Sequence, residues 1–465
     1  MALWEFYSAI PGVVWPAVPA PAAGAALALQ FQFQRNERLS SARLRELQFR
    51  QLHALVRHAY ATVPYYRERW RGAYDPAQAL TPERFGKLPV LARRELQESF
   101  AALSSREVAA SHGAVREART SGSTGAPVRV LKTGIADLLW NACVLRDHRW
   151  HERDLRGKLA AIRRGVTTGT QPGWGPATDG VVVTGGAVTL GIEADVDSQL
   201  RWLAQEQPDY LLTYPSNVAE LAKAALARSG ARLRLREVRT FGEVLRPETR
   251  DLCREAWGVQ VADTYSAEEV GYLALQCPQH EHYHVMAENV LLEVLDAQGA
   301  PCAPGEVGRV VVTALHSFAM PLVRYEIGDY AEPGEPCPYS GGLAVLRTIL
   351  GRTRNMLVTA DGRRYWPAFG TRSLGEIAPV LQHQFVQKSF ELIEARLVTA
   401  RPLSAGEQDA LQRHFASRLP PGFRIALAYR DEIPRSAGGK FEDFICELGA
   451  AGPAGAPAEI TGGAQ

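Results

Sequence analysis

Between residues 159 and 257, short apolar runs alternate with stretches whose apolar residues recur at helical spacing. The strand-like runs are 159–162, 180–184, 210–213 and 236–241, and the helical stretches are 195–206, 216–228 and 247–257. Strands that are separated by helices pair in parallel within one sheet. The alternation therefore favours a layered α/β domain.

The pattern changes after residue 285. Strand-like runs separated by turns follow at 290–295, 307–314 and 322–326, and they predict a β-rich subdomain. After Gly351 and Arg352 the apolar pattern restarts, with strands near 391–399 and 424–430 and a helix at 404–418. A stretch of about 100 residues with its own apolar pattern suits a small α+β domain.

These changes divide the chain into four expected segments. They are an apolar, proline-rich extension at 1–40, a large α/β domain at 41–351, a small α+β domain at 352–448 and a disordered Ala/Gly/Pro-rich tail at 449–465. Residues 8–30 are apolar but hold four prolines, and no Lys or Arg precedes Arg35, so neither a signal peptide nor a spanning helix is expected. Residues 22–33 are predicted to form a short helix against the core, with loose membrane contact as the alternative.

Charge and cysteine content narrow the function classes. Lys and Arg number 52 and Asp and Glu 50 in 465 residues, and a net charge of +2 gives no field that would attract nucleic acid. Six scattered cysteines do not form the framework of a disulfide-rich secreted protein. A cytoplasmic protein, either a monomer or a homodimer, is therefore expected.

A glycine-rich segment, TSGSTGAP at 120–127, has the composition of a phosphate-binding loop. Its candidate phosphate-binding residues are Thr120, Ser121, Gly122, Ser123, Thr124 and Gly125. The two glycines allow backbone to approach an anion closely, and the hydroxyls and successive N–H groups can donate to it. The segment is not a P-loop, because no Lys-Ser/Thr pair follows the last glycine. A solvated surface loop is the competing interpretation.

Four further segments follow in a fixed order. DTYSAEE at 263–269 places an aromatic ring and carboxylates after an apolar run, and RYEIGD at 324–329 places a carboxylate after a tight turn. Gly351-Arg352 opens the small domain, and PRSAGGK at 434–440 presents a lysine on a flexible turn. Each alone is compatible with a surface turn or an ion pair.

Together, these segments resemble the adenylate-forming superfamily, which includes acyl-CoA synthetases, peptide-synthetase adenylation domains and luciferases. PLVRYEIGD, YSAEEVG and the helical segment QLHALVRHAYATVPYYRERW are most similar to the phenylacetate–CoA ligase family. The resemblance extends over residues 40–447. It implies a large N-terminal α/β domain with a β-rich subdomain and a small mobile C-terminal domain.

The resemblance also implies roles for single residues. Thr120 to Gly125 would hold the ATP phosphates, Tyr265 would stack on adenine, and Glu269 would hold Mg²⁺. The remaining implied nucleotide-binding residues are Gly242, Glu243, Asp329 and Arg352. Lys440 would be the catalytic lysine that meets the α-phosphate and carboxylate oxygens, and Arg354 would be the hinge of the mobile domain.

The implied reaction has two steps. A carboxylate attacks the α-phosphorus of ATP to give an acyl-adenylate and pyrophosphate, and the thiol of coenzyme A then forms a thioester. Lys440 would serve the first step and withdraw from the second as the small domain rotates. This chain departs from the family in having Ala126 where a lysine is usual in the glycine-rich loop.

Aromatic residues mark the pocket expected for the acid. Tyr214, Phe241 and Trp174 are its candidate lining residues, and an aromatic acid would stack on them. Trp174 lies in a Gly/Pro-rich stretch, where a lid or a packing anchor is the alternative. Residues 163–186 match the phenylacetate pattern poorly, so the acid need not be phenylacetate.

The acceptor also stays open at the sequence level. Apart from coenzyme A, a carrier-protein arm, an amine, a sugar or a coenzyme could receive the acyl or adenylyl group. A degenerate nucleotide-binding protein without turnover is the remaining alternative. The joint presence of Glu269, Asp329, Arg352 and Lys440 argues against it.

One further cluster has the residue types of a zinc site. CPQHEHYH at 277–284 is rich in Cys and His, and relatives of the resembled family often carry structural zinc at such a segment. The predicted ligands are Cys277, His280 and Cys337, with His282 or His284 as the fourth. Tyr339 stands where those relatives have another thiolate, so a surface loop without metal is the alternative.

Overall fold

A computed structural model describes residues 4–120, 127–227, 233–367, 369–371, 374–436, 439–448 and 460–461. The predicted phosphate-binding residues 121–125 lie outside the described residues, as does most of the expected tail. The described helices are α1 (Pro21–Asn36), α2 (Ser41–Thr62), α3 (Pro64–Arg69), α4 (Pro82–Gly86), α5 (Arg93–Glu98), α6 (Phe100–Leu103), α7 (Gly134–Trp150), α8 (Val196–Glu206), α9 (Pro215–Leu226), α10 (Pro247–Trp257), α11 (Leu374–Ile377) and α12 (Ala405–Ala416). Short 3-10 helices lie at Ala110–His112 and Thr353–Asn355.

The described strands are β1 (Arg116–Arg119), β2 (Arg129–Lys132), β3 (Leu159–Arg163), β4 (Gly169–Gln171), β5 (Ala187–Gly191), β6 (Tyr210–Thr213), β7 (Glu237–Phe241), β8 (Gln260–Ala267), β9 (Gly271–Gln276), β10 (Tyr283–Val285), β11 (Val290–Leu295), β12 (Gly308–Ala314), β13 (Tyr325–Pro333), β14 (Val345–Arg352), β15 (Leu357–Val358), β16 (Arg364–Tyr365), β17 (Val380–Gln387), β18 (Leu392–Thr399), β19 (Arg424–Tyr429), β20 (Phe444–Cys446) and β21 (Ile460–Thr461).

The chain divides into two compact units. The first comprises Met1–Glu293, Val310–Ile327 and Pro333–Thr348, and the second comprises Val294–Arg309, Gly328–Glu332 and Ile349–Gln465. The small domain expected at 352–448 falls within the second unit. That unit also takes in two short segments, 294–309 and 328–332, which the sequence pattern did not separate from the large domain.

The first unit is built on a 12-stranded sheet in the order β11-β12-β13-β14-β10-β9-β8-β7-β6-β3-β5-β4. Its strands β5, β3, β6, β7 and β8 pair in parallel, as the strand–helix alternation predicts. A buried core lies between these strands and α8, α9 and α10, and includes Leu203, Leu211, Leu221 and Val238. The α/β fold class is confirmed.

One predicted strand, 180–184, is wrong. Val181 and Val182 are buried, but the strand of this region starts only at Ala187. Val182 instead forms an isolated antiparallel bridge with Phe6. The apolar run therefore packs under the N-terminal extension. A run that is buried in this way has the same apolar pattern as a buried sheet strand.

The N-terminal extension packs on the first unit. α1 begins with Pro21, whose fixed φ suits the first turn of a helix, and it buries Ala23, Ala26 and Phe33. Phe33 lies under the guanidinium of Arg146 in α7, at 4.0 Å from the ring centroid. The prediction of a short core-packed helix is confirmed, and no helix of the described residues is long and apolar enough to cross a membrane.

A buried ionic cluster connects α7 to the strands that follow it. Arg153 donates to Asp147 at 2.7 Å and to Glu237, at the start of β7, at 2.6 Å, and Arg239 also donates to Asp147 at 2.9 Å. Burial raises the pKa of Asp147, but the charges of Arg153 and Arg239 outweigh it and hold that pKa well below its usual range. The cluster fixes β7 against α7, and β7 carries candidate site residues at its other end.

The second unit has its own core. β17 and β18 pair antiparallel, β19 and β20 add in parallel on either side, and α12 packs with Phe369, Phe385 and Phe415 in one apolar cluster. The predicted strands near 391–399 and 424–430 and the helix at 404–418 are confirmed as β18, β19 and α12.

Part of the expected disordered tail is ordered. Ile460 and Thr461 form β21, which pairs in parallel with Arg364 and Tyr365 of β16. Both residues are β-branched and favour strand geometry, in contrast to the Ala/Gly/Pro-rich residues around them.

Candidate active site

Three candidate aromatic residues meet at one edge of the sheet. Tyr214 directly follows β6, Phe241 ends β7, and Tyr265 lies near the end of β8. These strands are neighbours and run in parallel, so their carboxyl ends share one edge, which is where open α/β sheets bind ligands. The rings of Tyr214 and Phe241 lie 4.9 Å apart, centroid to centroid.

The chain turns sharply after β7. Gly242 has φ +79°, a conformation that glycine adopts readily and other residues rarely do. The turn directs the Glu243 carboxylate back to α9, where its Oε2 accepts from the Ser216 backbone N–H at 2.9 Å. Tyr214 provides no side-chain cap for α9, so Glu243 supplies the acceptor at this helix N-terminus.

Tyr265 lies at an irregularity of its strand. β8 pairs antiparallel with β9, and the register shifts between Tyr265 and Ser266. Such bulges re-aim side chains and are frequent beside active sites. The Tyr265 side chain is buried within the first unit.

Glu269 is buried and held by two donors. Its Oε1 accepts from Arg93 Nη1 at 3.1 Å and from the Tyr325 hydroxyl at 3.3 Å. Arg93 also donates to the Tyr325 oxygen at 3.1 Å, which closes a triangle of three side chains. Burial, and then the nearby Glu269 charge, raise the pKa of Tyr325, so its hydroxyl keeps its proton at neutral pH.

A cavity of about 170 Å³ opens beside Glu269. Its polar lining comes from Arg116, Lys132, Asp137, Glu268, Glu269, Asn289, His316 and Ser317. Arg116 and Lys132 belong to the β1–β2 hairpin, and Thr120 stands just after β1. The hairpin is closed there by two hydrogen bonds of 2.9 Å, Thr120 N–H to Val128 O and Val128 N–H to Thr120 Oγ1. The glycine-rich segment is therefore joined to the strands that form the cavity wall.

The second unit carries the other candidate nucleotide residues. Asp329 Oδ1 lies 3.4 Å from Arg352 Nε, and both side chains are largely buried. Each follows a glycine of positive φ, +89° at Gly328 and +92° at Gly351. The two predicted ribose residues are thus brought together from β13 and β14.

Lys440 lies on a turn that its own backbone closes. The Ser436 N–H donates to the Lys440 carbonyl at 2.8 Å, and the Gly439 N–H donates to the Ser436 carbonyl at 2.8 Å. Two residues further on, Glu442 forms an ion pair with Arg354, the predicted hinge residue. Burial raises the pKa of Glu442, although the neighbouring Arg354 opposes that shift.

Comparisons with known proteins found sequence relatives and solved structures of similar fold. A phenylacetate-coenzyme A ligase of Thermus thermophilus is 29% identical over 450 residues, covering 88% of this chain and 98% of that protein. One of Escherichia coli is 25% identical and covers 69% of this chain and 74% of that protein. The solved structure of a 2-hydroxyisobutyryl-CoA ligase with 2-HIB-AMP matches with a TM-score of 0.70 at 20% identity, over 89% of this chain and 92% of that one.

The chain is thus similar in sequence to phenylacetate-coenzyme A ligases and shares the fold of a solved acyl-CoA ligase. No protein-family model matches it. The solved structure shares the fold at low identity, whereas the sequence relatives place the chain close to the phenylacetate–CoA ligases.

Trp174 does not lie beside the aromatic pair Tyr214 and Phe241. Its ring contacts His148 at 5.3 Å and Tyr210 at 5.0 Å, and its indole N–H donates to the Gly157 carbonyl at 2.9 Å. Tyr210 starts β6, whereas Tyr214 follows its end, so Trp174 packs at the opposite end of that strand. These contacts are those of a packed side chain, which was the alternative to a pocket role.

The Cys/His segment forms a compact cluster in the first unit. Ligand atoms of Cys277, His282, His284 and Cys337 all lie within 4.8 Å of one another. His280 is outside this group of four, although its Nδ1 lies 3.4 Å from Cys277 Sγ and 3.6 Å from Cys337 Sγ. The structure therefore brings both later histidines to the thiols.

Two histidine nitrogens of this cluster lack a hydrogen-bond partner. The Nε2 atoms of His282 and His284 are buried without a hydrogen-bond partner, while His284 Nδ1 is 2.9 Å from Ser340 Oγ. Burial, together with its histidine neighbours, lowers the pKa of His284 to about 3, so the ring is neutral as a metal ligand must be. Burial raises the pKa of the Cys277 thiol to about 11. Two sulfurs and two imidazole nitrogens fit zinc.

Sequence reasoning missed two cations of this site. Arg93 is 176 positions from Glu269, and Lys132 pairs at 2.9 Å with Glu268, 136 positions away. No local pattern distinguishes either from a surface cation.

Proposed function

We propose that this protein activates a carboxylic acid with ATP and transfers the acyl group to coenzyme A. The observation that carries the proposal is the alignment with a phenylacetate-coenzyme A ligase over 98% of that protein's length. The buried Glu269 and the Asp329–Arg352 pair support it, because they supply the carboxylates and the fixed cation that a nucleotide site requires.

The first step forms the acyl-adenylate. A carboxylate oxygen of the acid attacks the α-phosphorus, the bond to the β-phosphate oxygen breaks, and pyrophosphate leaves with its electron pair. The protein positions two anions and neutralises charge, which is the main requirement of phosphoryl and nucleotidyl transfer. Lys440 donates to the oxygens on which charge accumulates.

Three residues are assigned to the nucleoside and its phosphate. Tyr265 stacks on adenine, Asp329 accepts hydrogen bonds from the ribose hydroxyls, and Arg352 lies by the ribose and phosphate. Glu269 fits Mg²⁺, because it is a buried carboxylate on a cavity wall and hard cations prefer such oxygens. When bound, Mg²⁺ neutralises phosphate charge, and Arg93 and Tyr325 fix the orientation of its carboxylate ligand.

The second step makes the thioester. The thiol of coenzyme A loses its proton, its sulfur attacks the acyl carbon, and AMP leaves. The hinge role of Arg354 stays a prediction, supported by its ion pair with Glu442 near the Lys440 turn. Tyr214 and Phe241 form an aromatic wall at the sheet edge, which favours a flat or apolar acid.

The test is pyrophosphate release over a panel of carboxylic acids. The panel includes aryl, arylacetic and short hydroxy acids, each with and without coenzyme A. We expect acid-dependent pyrophosphate and AMP, and an acyl-CoA product when the thiol is present. Pyrophosphate without thioester would indicate another acceptor, such as a carrier protein, and no release with any acid would contradict the function.

We also propose that Cys277, His282, His284 and Cys337 hold one structural Zn²⁺. The support is that the Nε2 atoms of His282 and His284, beside two thiols, are buried without a hydrogen-bond partner. Zinc contributes here a crosslink between the β9–β10 turn and the segment before β14, and it lies outside the reaction itself.

Asp329 offers a direct test of nucleotide recognition. Asp329→Ala is expected to weaken ATP binding about tenfold or more, because hydrogen bonds to a charged acceptor contribute about 1.5–3 kcal/mol. Titration calorimetry with ATP measures the change. Asp361→Ala is the matched control, since Asp361 is an exposed aspartate of the same unit that pairs with Arg363. Unchanged ATP affinity of the Asp329 variant would contradict the role.

A further inference from the structure

Asp263 of β8 is a buried carboxylate that connects its strand to two others of the 12-stranded sheet. Its Oδ1 accepts from the Thr240 hydroxyl of β7 at 2.6 Å, and its Oδ2 accepts from the Tyr283 hydroxyl of β10 at 2.8 Å. Both donors are themselves buried. Each carboxylate oxygen is therefore held by a different strand, and the side chain links β7 to β10 through β8.

The backbone of Asp263 is also held by a side chain. The antiparallel pairing of β8 with β9 begins at Thr264 and Leu275, and the preceding Asp263 N–H donates to Gln276 Oε1 at 2.9 Å. The same Gln276 oxygen accepts from Arg250 Nη2 of α10 at 2.8 Å. Asp263 is thus fixed through its side chain and its backbone, from β7, β9, β10 and α10.

A carboxylate in this position is costly to bury. Moving a charge out of water is unfavourable unless hydrogen bonds compensate for it. Burial raises the pKa of Asp263, although the Thr240 and Tyr283 hydroxyls oppose that shift. Apolar residues of similar volume often stabilise a fold at least as well as a buried charged group. Proteins retain such costly groups mainly where they support a functional site.

The position of Asp263 in β8 identifies the site that it would support. Asp263 lies two residues before Tyr265, and its donor Thr240 directly precedes Phe241. Successive side chains of a strand point to opposite faces, so Asp263 and Tyr265 share one face of β8. Directly after Tyr265 the register between β8 and β9 shifts. The backbone of Tyr265 therefore lies between an irregular pairing on one side and the Asp263 hydrogen bonds on the other.

We propose that Asp263 is a positioning residue for the nucleotide, because it fixes the end of β8 so that the Tyr265 ring is held in place to stack on adenine. A ligand-binding side chain has to be locked by supporting hydrogen bonds if it is to keep its geometry. Thr240 and Tyr283 share this role, since they are the donors that hold the carboxylate. The inference rests on the proposed function, in which Tyr265 stacks on adenine.

The experiment measures the dissociation constant of ATP by titration calorimetry. Asp263→Asn keeps the shape of the side chain but presents an amide N–H₂ to one of the two hydroxyls, and we expect it to weaken ATP binding about fivefold. Tyr265→Ala removes the stacking ring and is expected to weaken binding about tenfold or more. Asp251→Asn is the matched control, because Asp251 is a partly exposed aspartate of the same unit that pairs with Arg254.

The double variant Asp263→Asn/Tyr265→Ala decides whether Asp263 acts through Tyr265. If it does, Asp263 has no ring left to position in the double variant, which then binds ATP as tightly as Tyr265→Ala alone. A purely structural role would weaken binding by the same factor with and without the ring. Additive losses would therefore overturn the inference, and so would unchanged ATP affinity in Asp263→Asn.

Tyr283→Phe is a milder variant for the same test. It keeps the aromatic ring and removes one donor to Asp263. We expect an about threefold loss of ATP affinity when Tyr265 is present and no further loss in the Tyr265→Ala background. If thermal melting shows that Asp263→Asn does not fold, this pair of variants decides the question, and an equal loss in both backgrounds would overturn the inference.

Failure of the inference differs from failure of the proposed function. If Tyr265→Ala lowers ATP affinity while Asp263→Asn and Tyr283→Phe leave it unchanged, the inference alone is overturned. Unchanged affinity in Tyr265→Ala would contradict the stacking role, and the inference with it. A wild-type protein that binds no ATP would contradict the proposed function as a whole.

Discussion

Lys440→Ala is expected to slow acid-dependent pyrophosphate release by about 100-fold or more, which corresponds to about 3 kcal/mol of lost transition-state stabilisation. The lysine ends the turn at 434–440, and negative charge accumulates on the α-phosphate and carboxylate oxygens as the bond to pyrophosphate breaks. Alanine removes the charge without changing the turn, which backbone hydrogen bonds of Ser436 close. Pyrophosphate release at saturating acid measures the effect.

The same variant keeps the second step. Thiolysis of supplied acyl-adenylate by coenzyme A is expected to survive better in Lys440→Ala than adenylation does, because that attack breaks the bond between the acyl carbon and the phosphate oxygen and changes no bond to the α-phosphorus. Lys388→Ala is the matched control, since Lys388 is a lysine of the same unit that pairs with Glu447. A Lys440 variant with near-normal adenylation would show that the assignment is wrong.

The sheet-edge part of the site could be predicted from sequence. Tyr214, Phe241 and Tyr265 follow or end three successive strands, and parallel pairing brings the carboxyl ends of neighbouring strands to one edge. Strand–helix alternation was enough to predict that pairing. The glycine turns before Asp329 and Arg352 gave a similar local signal, because positive φ favours glycine.

The cation that holds the Glu269 carboxylate could not be predicted in this way. Arg93 reaches Glu269 across 176 positions, and nothing near Arg93 distinguishes it from the neighbouring Arg94, which is an exposed surface cation. The strand predicted at 180–184 was wrong for the same reason, because a contact between distant segments buries these residues. Val182 is buried in a cluster with Ala23 and Ala26 of α1 and forms a backbone bridge with Phe6, and no local period encodes these contacts between segments.

In the Cys/His cluster, the ligand set that the motif predicts differs from the set that the geometry groups. The spacing from Cys277 to His280 predicted His280 as a ligand, whereas the structure groups the two thiols with His282 and His284. His282 and His284 alternate along the approach to β10, and Tyr283 between them donates instead to Asp263 at 2.8 Å. Strand alternation, not the Cys-x-x-His spacing, thus decides which rings face the sulfurs.

Removal of zinc is expected to destabilise the first unit strongly. A ligand present at about 1,000 times its dissociation constant stabilises the fold by about 4 kcal/mol. With an unfolding entropy of about 2.1 cal/mol/K per residue, each kcal/mol shifts Tm by roughly 1.5 °C in a unit of about 330 residues. A zinc-selective chelator should therefore lower Tm by about 6 °C. Elemental analysis of protein purified without chelator should find about one zinc per chain.

Ligand variants then separate the two histidine assignments. His284→Ala and Cys337→Ser are expected to lose the zinc and the chelator-sensitive part of Tm, since each removes one of four ligands. His280→Ala should keep both, and Cys302→Ser is the matched cysteine control outside the cluster. Zinc loss in His280→Ala with retention in His282→Ala would restore the spacing-based ligand set. Wild-type protein with clearly less than one zinc per chain and no response to chelator would exclude the site, and the buried Nε2 atoms of His282 and His284 would then need another partner.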